Sequence, residues 1–203
     1  MNKDYEKMTR EELIRELQLL SVRRQATPHF LFNSISVAIS LVMQEPKTAV
    51  TFLRQVANMY RYLLYYGNEY AVPIEQELEM VLQYFDLMCL RYVGSLKLSI
   101  DEEVTHLKSH LIPPLTLQGL MENAIKHNAH SPSHPLEIHL SVESCADGNY
   151  LCVSNPISPV VSESNSTKRG LEYMNQSLRL LYKKELKIFN DGKTFIVKMP
   201  LLT

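Results

Sequence analysis

The chain has 203 residues, 45% of them hydrophobic and 21% charged, with 21 Lys+Arg against 22 Asp+Glu. A net charge of -1 lacks the basic excess with which nucleic-acid binders neutralise phosphates, so no nucleic-acid partner is expected. The length allows one large domain or two small ones around a sizeable core. Its three cysteines, Cys89, Cys145 and Cys152, are odd in number and lack CxxC spacing, which points to reduced thiols in a cytoplasmic compartment rather than a disulfide framework or zinc site.

The start, MNKDYEKMTREELIREL, is charged where a secretory signal would be apolar. The most apolar window, Val37–Met43, is too short to cross a bilayer. A charged helix beginning at residue 1 is what a cut below a membrane segment would leave. The expectation is therefore the cytoplasmic part of an inner-membrane protein, joined to the membrane only through an upstream segment.

In chain order, Leu13, Leu17 and Leu20 mark a short amphipathic helix. Phe32, Ile35, Ile39 and Val42 then repeat at helical spacing up to Glu45-Pro46, and Val50, Leu53, Ala57, Tyr60 and Leu64 up to Gly67-Asn68. Leu78, Leu82, Phe85, Cys89 and Tyr92 do the same after Pro73, ending at Gly94. Such seams suit a helical hairpin that a two-fold axis doubles into a four-helix bundle, hence a homodimer.

Past Gly94 the period changes. Leu96–Ile100 and Leu136–Val142 alternate as strands do; Pro113-Pro114 opens a helix over Leu115–Asn128; and Ala146–Asn149 turns the chain into Tyr150–Val153. Pro156–Lys168 reads as a mobile loop. A helix from Gly170 to about Lys184 and a closing hairpin, Leu186–Phe189 with Thr194–Met199, complete the order β-α-β-β-loop-α-β-β. The fold class expected is α+β, a helical domain over residues 1–94 followed by an α/β sandwich with a mixed sheet over residues 95–203.

Four segments could carry chemistry. In Gln25–Asn33, Pro28 loosens a helix one position before His29. A neutral imidazole can accept a phosphoryl group on nitrogen, and Asn33, one turn on, could hydrogen-bond the ring or a phosphate. On these residues alone a structural role for His29 stays open. In Glu122–His127, Asn123, Lys126 and His127 are spaced to share one polar stripe, where an amide oxygen can hold Mg²⁺ and a cation can meet phosphates. A solvated helix face would show the same pattern. Asn155 ends a strand, where its amide could read an adenine edge or serve a turn. Gly170, within Lys168–Leu171, could let backbone amides approach a phosphate, and no Walker motif occurs.

Together, PHFLFNS (Pro28–Ser34), IPPLTLQGLMENAIKH (Ile112–His127), RGLEYMNQSLRLLY (Arg169–Tyr182) and DGKTFIVKMP (Asp191–Pro200) resemble the LytS-type sensor histidine kinases over most of the chain. Members of that family join a dimerisation and phosphoacceptor segment to a GHKL, or Bergerat-fold, ATP-binding domain. The resemblance implies that His29 is phosphorylated, with Asn33 beside it, and that ATP and Mg²⁺ are bound. Asn123 would hold the metal with Glu122 adjacent, and Lys126 and His127 would contact phosphates. Asn155 matches the acidic residue that reads the adenine amino group, and Gly170 with Leu171 matches the end of the lid motif. Arg91 matches a basic position to which no role is assigned. The implied partners are a second copy of the chain and a response-regulator receiver domain.

Two departures stand out. Where the family has D-N-G-x-G, this chain has Asn155-Pro156-Ile157-Ser158-Pro159. Where the family has G-x-G-L, it has Lys168-Arg169-Gly170-Leu171, and Lys168 could offset the missing glycine by meeting a phosphate. An amide oxygen in place of a carboxylate leaves a neutral hydrogen bond to adenine, worth roughly 1 kcal/mol, instead of a larger charge-assisted one. The alternative reading is a kinase-like dimerisation and signalling module that no longer binds ATP productively.

Overall fold

The computed structural model describes residues 34–67, 69–158 and 166–202. His29, Asn33, the amphipathic helix around Leu13–Leu20 and most of the expected loop lie outside them. Residues 34–44 are helical (α1), and the single residue Glu45 separates them from α2 (Pro46–Tyr66), which takes Pro46 at its first turn, where no amide partner is lost. Then come β1 (Val72–Pro73), α3 (Ile74–Arg91), β2 (Leu96–Ile100), a five-residue α4 (Glu102–His106) and β3 (Leu111–Ile112). The remainder is α5 (Thr116–His127), β4 (Leu136–Cys145), β5 (Gly148–Pro156), α6 (Ser166–Tyr182), β6 (Lys187–Asn190) and β7 (Thr194–Pro200).

The architecture is α+β, helices followed by a mixed sheet. Five strands run in the order β2-β4-β5-β7-β6, parallel between β2 and β4 and antiparallel elsewhere. Register decides which residues meet the helices. Leu98 lies beside Ile138, Leu140 beside Val153, and Val153 beside Val197, so alternate residues of four strands form one apolar face. Helices α3, α4 and α5 pack on the sheet, and α6 packs on α5. On β5 this alternation carries Asn155 onto the apolar face, where it pairs with Phe195 of β7.

The expected strands and the α5 helix form where the alternation and the paired prolines place them. Sequence reading missed β1, β3 and α4, each too short to show a period. The helix expected from Gly170 begins at Ser166, so Gly170 lies inside α6 rather than at its opening.

The helical half differs more. In α2 the buried stripe is Ala49, Phe52, Val56 and Met59. The expected seam lies beside it and is exposed, at Val50, Leu53 and Leu64, as it is in α1 at Ile35, Ile39 (63%) and Val42, with Met43 at 84%. Both faces are apolar, and periodicity alone does not say which one the chain's own core takes. In α3, Ile74, Leu78, Val81, Tyr84 and Met88 are buried, together with Glu77, while Leu82 is exposed.

The expected division into 1–94 and 95–203 cuts through this packing. α3 packs on α5, β1 pairs with β3 through Val72–Ile112 and Pro73–Leu111, and one continuous cluster joins Phe52, Val56 and Met59 to α3, α5 and the sheet. Gly94 has a left-handed backbone (φ 69°) in a turn closed by Ser95 N–H donating to the Tyr92 carbonyl (2.9 Å), and Ser95 itself is buried. That is a fastened turn, unlike a hinge.

The strongest tie is polar. Leu115, at the N-cap position of α5, has no side-chain acceptor for the helix's first amides and adopts φ 64°. Glu77 of α3 supplies the acceptor: its Oε1 takes the Leu115 N–H (2.7 Å) and its Oε2 the Leu117 N–H (3.0 Å). Tyr62 of α2 donates its hydroxyl to the same Oε1 at 2.5 Å. A fragment beginning at Ser34 is expected to give a cooperative thermal melt, whereas one beginning at Ser95 loses α2, β1, α3 and the α5 cap and gives none. A cooperative melt from the shorter fragment would restore the boundary at Gly94.

Candidate functional site

Helix α5 presents residues to two cavities because successive residues turn by about 100°. Asn123 and His127, four apart, face a cavity of about 180 Å³ between α5 and the β5–β7 part of the sheet. Leu120, Ala124, Val153, Ile157, Phe195 and Val197 form its apolar walls, and Asn155 and Asn190 add polar groups. Glu122 and Lys126, likewise four apart, line a second and larger cavity of about 490 Å³ on the other flank, shared with Arg91, Tyr84, His130 and Ser34 of α1. The expected single stripe of Asn123, Lys126 and His127 is thus divided, with Lys126 turned toward the helical half.

The smaller cavity suits a flat apolar ring with polar edges. Asn155, 5% exposed, stands at its sheet side, with its Nδ2 donating to the Pro156 carbonyl (2.8 Å). Asn128, which sequence reading passed over, fastens the rim. Its Nδ2 donates to the Ala124 carbonyl (2.8 Å), its Oδ1 accepts the Ser158 N–H (2.8 Å), and Ala129 N–H donates to the Ser158 carbonyl (2.7 Å). Ile157 N–H donates to the Lys193 carbonyl at 2.7 Å. The segment that leaves β5 is thereby held on both sides. The signal was an asparagine directly after the last turn of a helix, a position where its side chain can bond back to the helix carbonyls.

Burial, and then the charge of Lys126, pull the His127 imidazole below its ordinary pKa, so at neutral pH it is an uncharged group that offers one N–H and one lone pair. In the larger cavity, burial also lowers the pKa of His130, whose Nδ1 is buried without a hydrogen-bond partner. Its ring meets the edge of Tyr92 at 4.7 Å, and the Arg91 guanidinium lies 5.0 Å from the Tyr92 ring. Burial, reinforced by Glu122, raises the Tyr84 phenol so that it stays protonated.

The residues present fit Mg²⁺ and a flat apolar ring, in a cavity smaller than a whole nucleotide occupies. Mg²⁺ keeps most of its waters and phosphate oxygens, so one protein oxygen suffices, and Asn123 offers an amide oxygen at a cavity whose walls match a purine. Among the described residues no cluster of His, Cys, Asp and Glu forms a metal cage. Leu171 is buried in the core and is placed as a packing residue. Lys168 and Gly170 belong to the first turns of α6.

Residues 17–96 match the family model described as histidine kinase. Over 134 residues, 65% of its length, the chain is 36% identical to the sensor protein kinase HptS of Staphylococcus aureus strain USA300, with the same figures for strain NCTC 8325. Over these stretches the chain is similar to histidine kinases. The aligned part is 25% of HptS, so the chain spans about a quarter of the length of the curated relatives it matches. Among solved structures it is similar to a bacterial phosphotransferase (TM-score 0.48, 8% identity, 94% of this chain and 98% of that one). It is also similar to the histidine kinase AdeS of Acinetobacter baumannii (TM-score 0.43, 15% identity, 88% of this chain and 100% of that one). Those structural likenesses are loose, and no argument rests on them. No helix among the described residues is long and apolar enough to cross a membrane.

The rim clasp is open to a direct test. Asn128→Ala is expected to cost about 0.5–1.5 kcal/mol, because the amide of exposed Ser158 exchanges its side-chain acceptor for water, and to speed hydrogen exchange at Ile157 and Ser158 selectively. Unchanged exchange there would show that Asn128 does not hold the rim.

Proposed function

We infer that the chain is the LytS-type kinase core of a two-component sensor, phosphorylating His29 from ATP and passing the phosphoryl group to an aspartate of a response regulator. The observation that carries this reading is the two-flanked α5. Asn123 and His127 line a purine-suited cavity beside Asn155, while Glu122 and Lys126 line a cavity shared with Ser34 of α1. Ser34 lies five residues after His29, a separation the chain spans in at most about 18 Å. The two substrates of a phosphoryl transfer would thus approach opposite flanks of one helix.

In this reading the apolar walls hold the adenine ring and exclude water from it, and Asn155 offers an amide oxygen to its amino group. Mg²⁺, held by Asn123, would neutralise charge on the phosphates. Neutral His127 gives a hydrogen bond and no charge, whereas Lys126, on the acceptor flank, supplies a cation to the transferring group. A ring nitrogen of His29 attacks the γ-phosphorus as the bond to the bridging oxygen breaks. ADP leaves with that electron pair, and the ring proton passes to solvent. The rest is positioning and charge neutralisation.

Two observations favour the alternative, a signalling module without productive ATP binding. The cavity beside Asn123 is about 180 Å³, below the range of about 300–1,000 Å³ usual for small-molecule sites. The segment after β5 also has Pro156 and Pro159 where the resembled family has backbone-approach glycines. The exposed apolar faces of α1 and α2 serve either reading, since they suit a second copy of the chain across a two-fold axis.

Incubation with γ-labelled ATP and Mg²⁺ decides between them. The kinase reading expects acid-labile, base-stable label that is absent from His29→Ala, and Mg²⁺-dependent ATP binding lost in a folded Asn123→Ala. An unlabelled wild type that shows no calorimetric heat with ATP selects the alternative. Independently, Ile39→Lys is expected to convert a dimer to monomer in light scattering without loss of helicity. A variant that remains dimeric would place the interface elsewhere.

A further inference from the structure

The α5 cap has a component that the kinase reading does not use: its third donor comes from α2, in the helical half. Glu77 is fully buried, and a carboxylate in that setting requires donors on both oxygens. Its Oε1 is shared by the Tyr62 hydroxyl and the Leu115 N–H, so α2 and the first amide of α5 bind one atom. Leu115 is a non-glycine residue at φ 64°, a conformation that an L side chain holds only where its surroundings impose it. Withdrawing or displacing the Glu77 oxygen lets Leu115 relax toward a negative φ, which tilts the first turn of α5. Asn123 and His127 follow eight and twelve residues later on the same helix, at about 1.5 Å per residue, with Gly119 as the one helix-weakening residue between them and Leu115.

We propose that Tyr62 is a positioning residue for the nucleotide helix, acting through Glu77 to make the seat of α5, and with it Asn123 and His127, depend on where α2 lies. A displacement of the helical half thereby reaches the cavity through one shared oxygen. The Tyr66 ring packs on Tyr62 in a tilted arrangement, 4.9 Å between centroids at 45°. The inference rests on the reading of α5 as the nucleotide helix, and one arm of its test does not need nucleotide.

The test uses the whole chain carrying Tyr62→Phe, which removes one oxygen and keeps the ring packing, with Val56→Ala as a control. Val56 is buried on the same α2 helix but is not among the donors to Glu77. Tyr62→Phe is expected to speed hydrogen exchange of the Leu115 and Leu117 amides about tenfold, to shift the His127 titration followed by NMR, and to weaken ATP affinity about tenfold. Val56→Ala is expected to lower the melting temperature and to move none of these. Glu77→Gln is expected to match Tyr62→Phe, and the double variant to be no worse than Glu77→Gln alone, as two members of one relay require. If Tyr62→Phe behaves as Val56→Ala does, or if the two changes add, the proposal is overturned. Should wild type bind no ATP, the nucleotide reading fails, and the exchange and His127 arms still decide the relay.

Discussion

A carboxylate with no exposed surface is the constraint around which this molecule is arranged. Leaving Glu77 ionised and unpaired in an apolar interior would cost several kcal/mol, so α2, α3 and the start of α5 have to meet where its two oxygens are. Burial drives its pKa up from the carboxylate range, while the hydroxyl of Tyr62 and the amides of Leu117, Leu115 and Thr116 draw it back. Because the folded pKa is raised, the folded chain holds this proton more tightly than the unfolded one. The group therefore favours folding most below the ordinary carboxylate pKa, and that contribution declines as pH rises through the folded value. A leucine would pack there more cheaply, but it would leave α5 without a cap. A chain that begins this helix with Pro-Pro-Leu has no local residue to do the work of Glu77.

The same arrangement explains why the helical and sheet-bearing halves are one packed body. Phe52 and Met59 are almost wholly buried against α3 and the continuous core, so α3 has α2 on one side and α5 with the sheet on the other. A helix buried on several sides shows no clean amphipathic stripe, so its packing on both α2 and α5 is not visible in its own sequence. Gly94 looked like punctuation because glycine usually is, whereas here it serves a left-handed turn that carries the chain directly into β2. The strands were legible because one face of each is buried and the other is not, so their alternation survives in the sequence. The faces of α1 and α2 were legible as apolar but not as inner or outer: Val50 and Leu53 scan as well as Ala49 and Phe52. What separates them is tertiary contact, of which periodicity holds no record.

Within the site, Asn123, His127 and Asn155 were legible from residue type and position, and the structure gathers all three around one cavity. Lys126 was read with them because spacings of three and four both count as neighbours on a helix. Burial of Ala124 and Ile125 on the inner face separates the flanks, leaving Glu122 and Lys126 to face Arg91. Arg91 belongs to α3, and only the packing of α3 on α5 brings it there. Asn128 and Glu77 were illegible for one shared reason: each acts through a long-range bond, to Ser158 and to Leu115 and Leu117, whose partner the local sequence does not indicate. A charge at a position that α3's own spacing marks as buried was the visible trace of the second.

The departures from the family pattern at residues 155–159 then acquire a physical meaning. Glycines after a strand let the backbone come close to a ligand at no steric cost. This chain has Pro156 instead, with φ fixed near that of an extended segment, and it holds the following residues by bonds from Asn128 and Lys193. The rim is shaped by fastening rather than by backbone freedom. Such a rim is already ordered before any ligand arrives, which lowers the entropy lost on binding. It also fixes the cavity's width, so a purine must fit between Leu120, Val153 and Phe195 as they stand, or break the Asn128 clasp to enter. In place of glycines, the rim is shaped by a side-chain amide one residue beyond α5, which joins it to the same helix whose other end rests on Glu77.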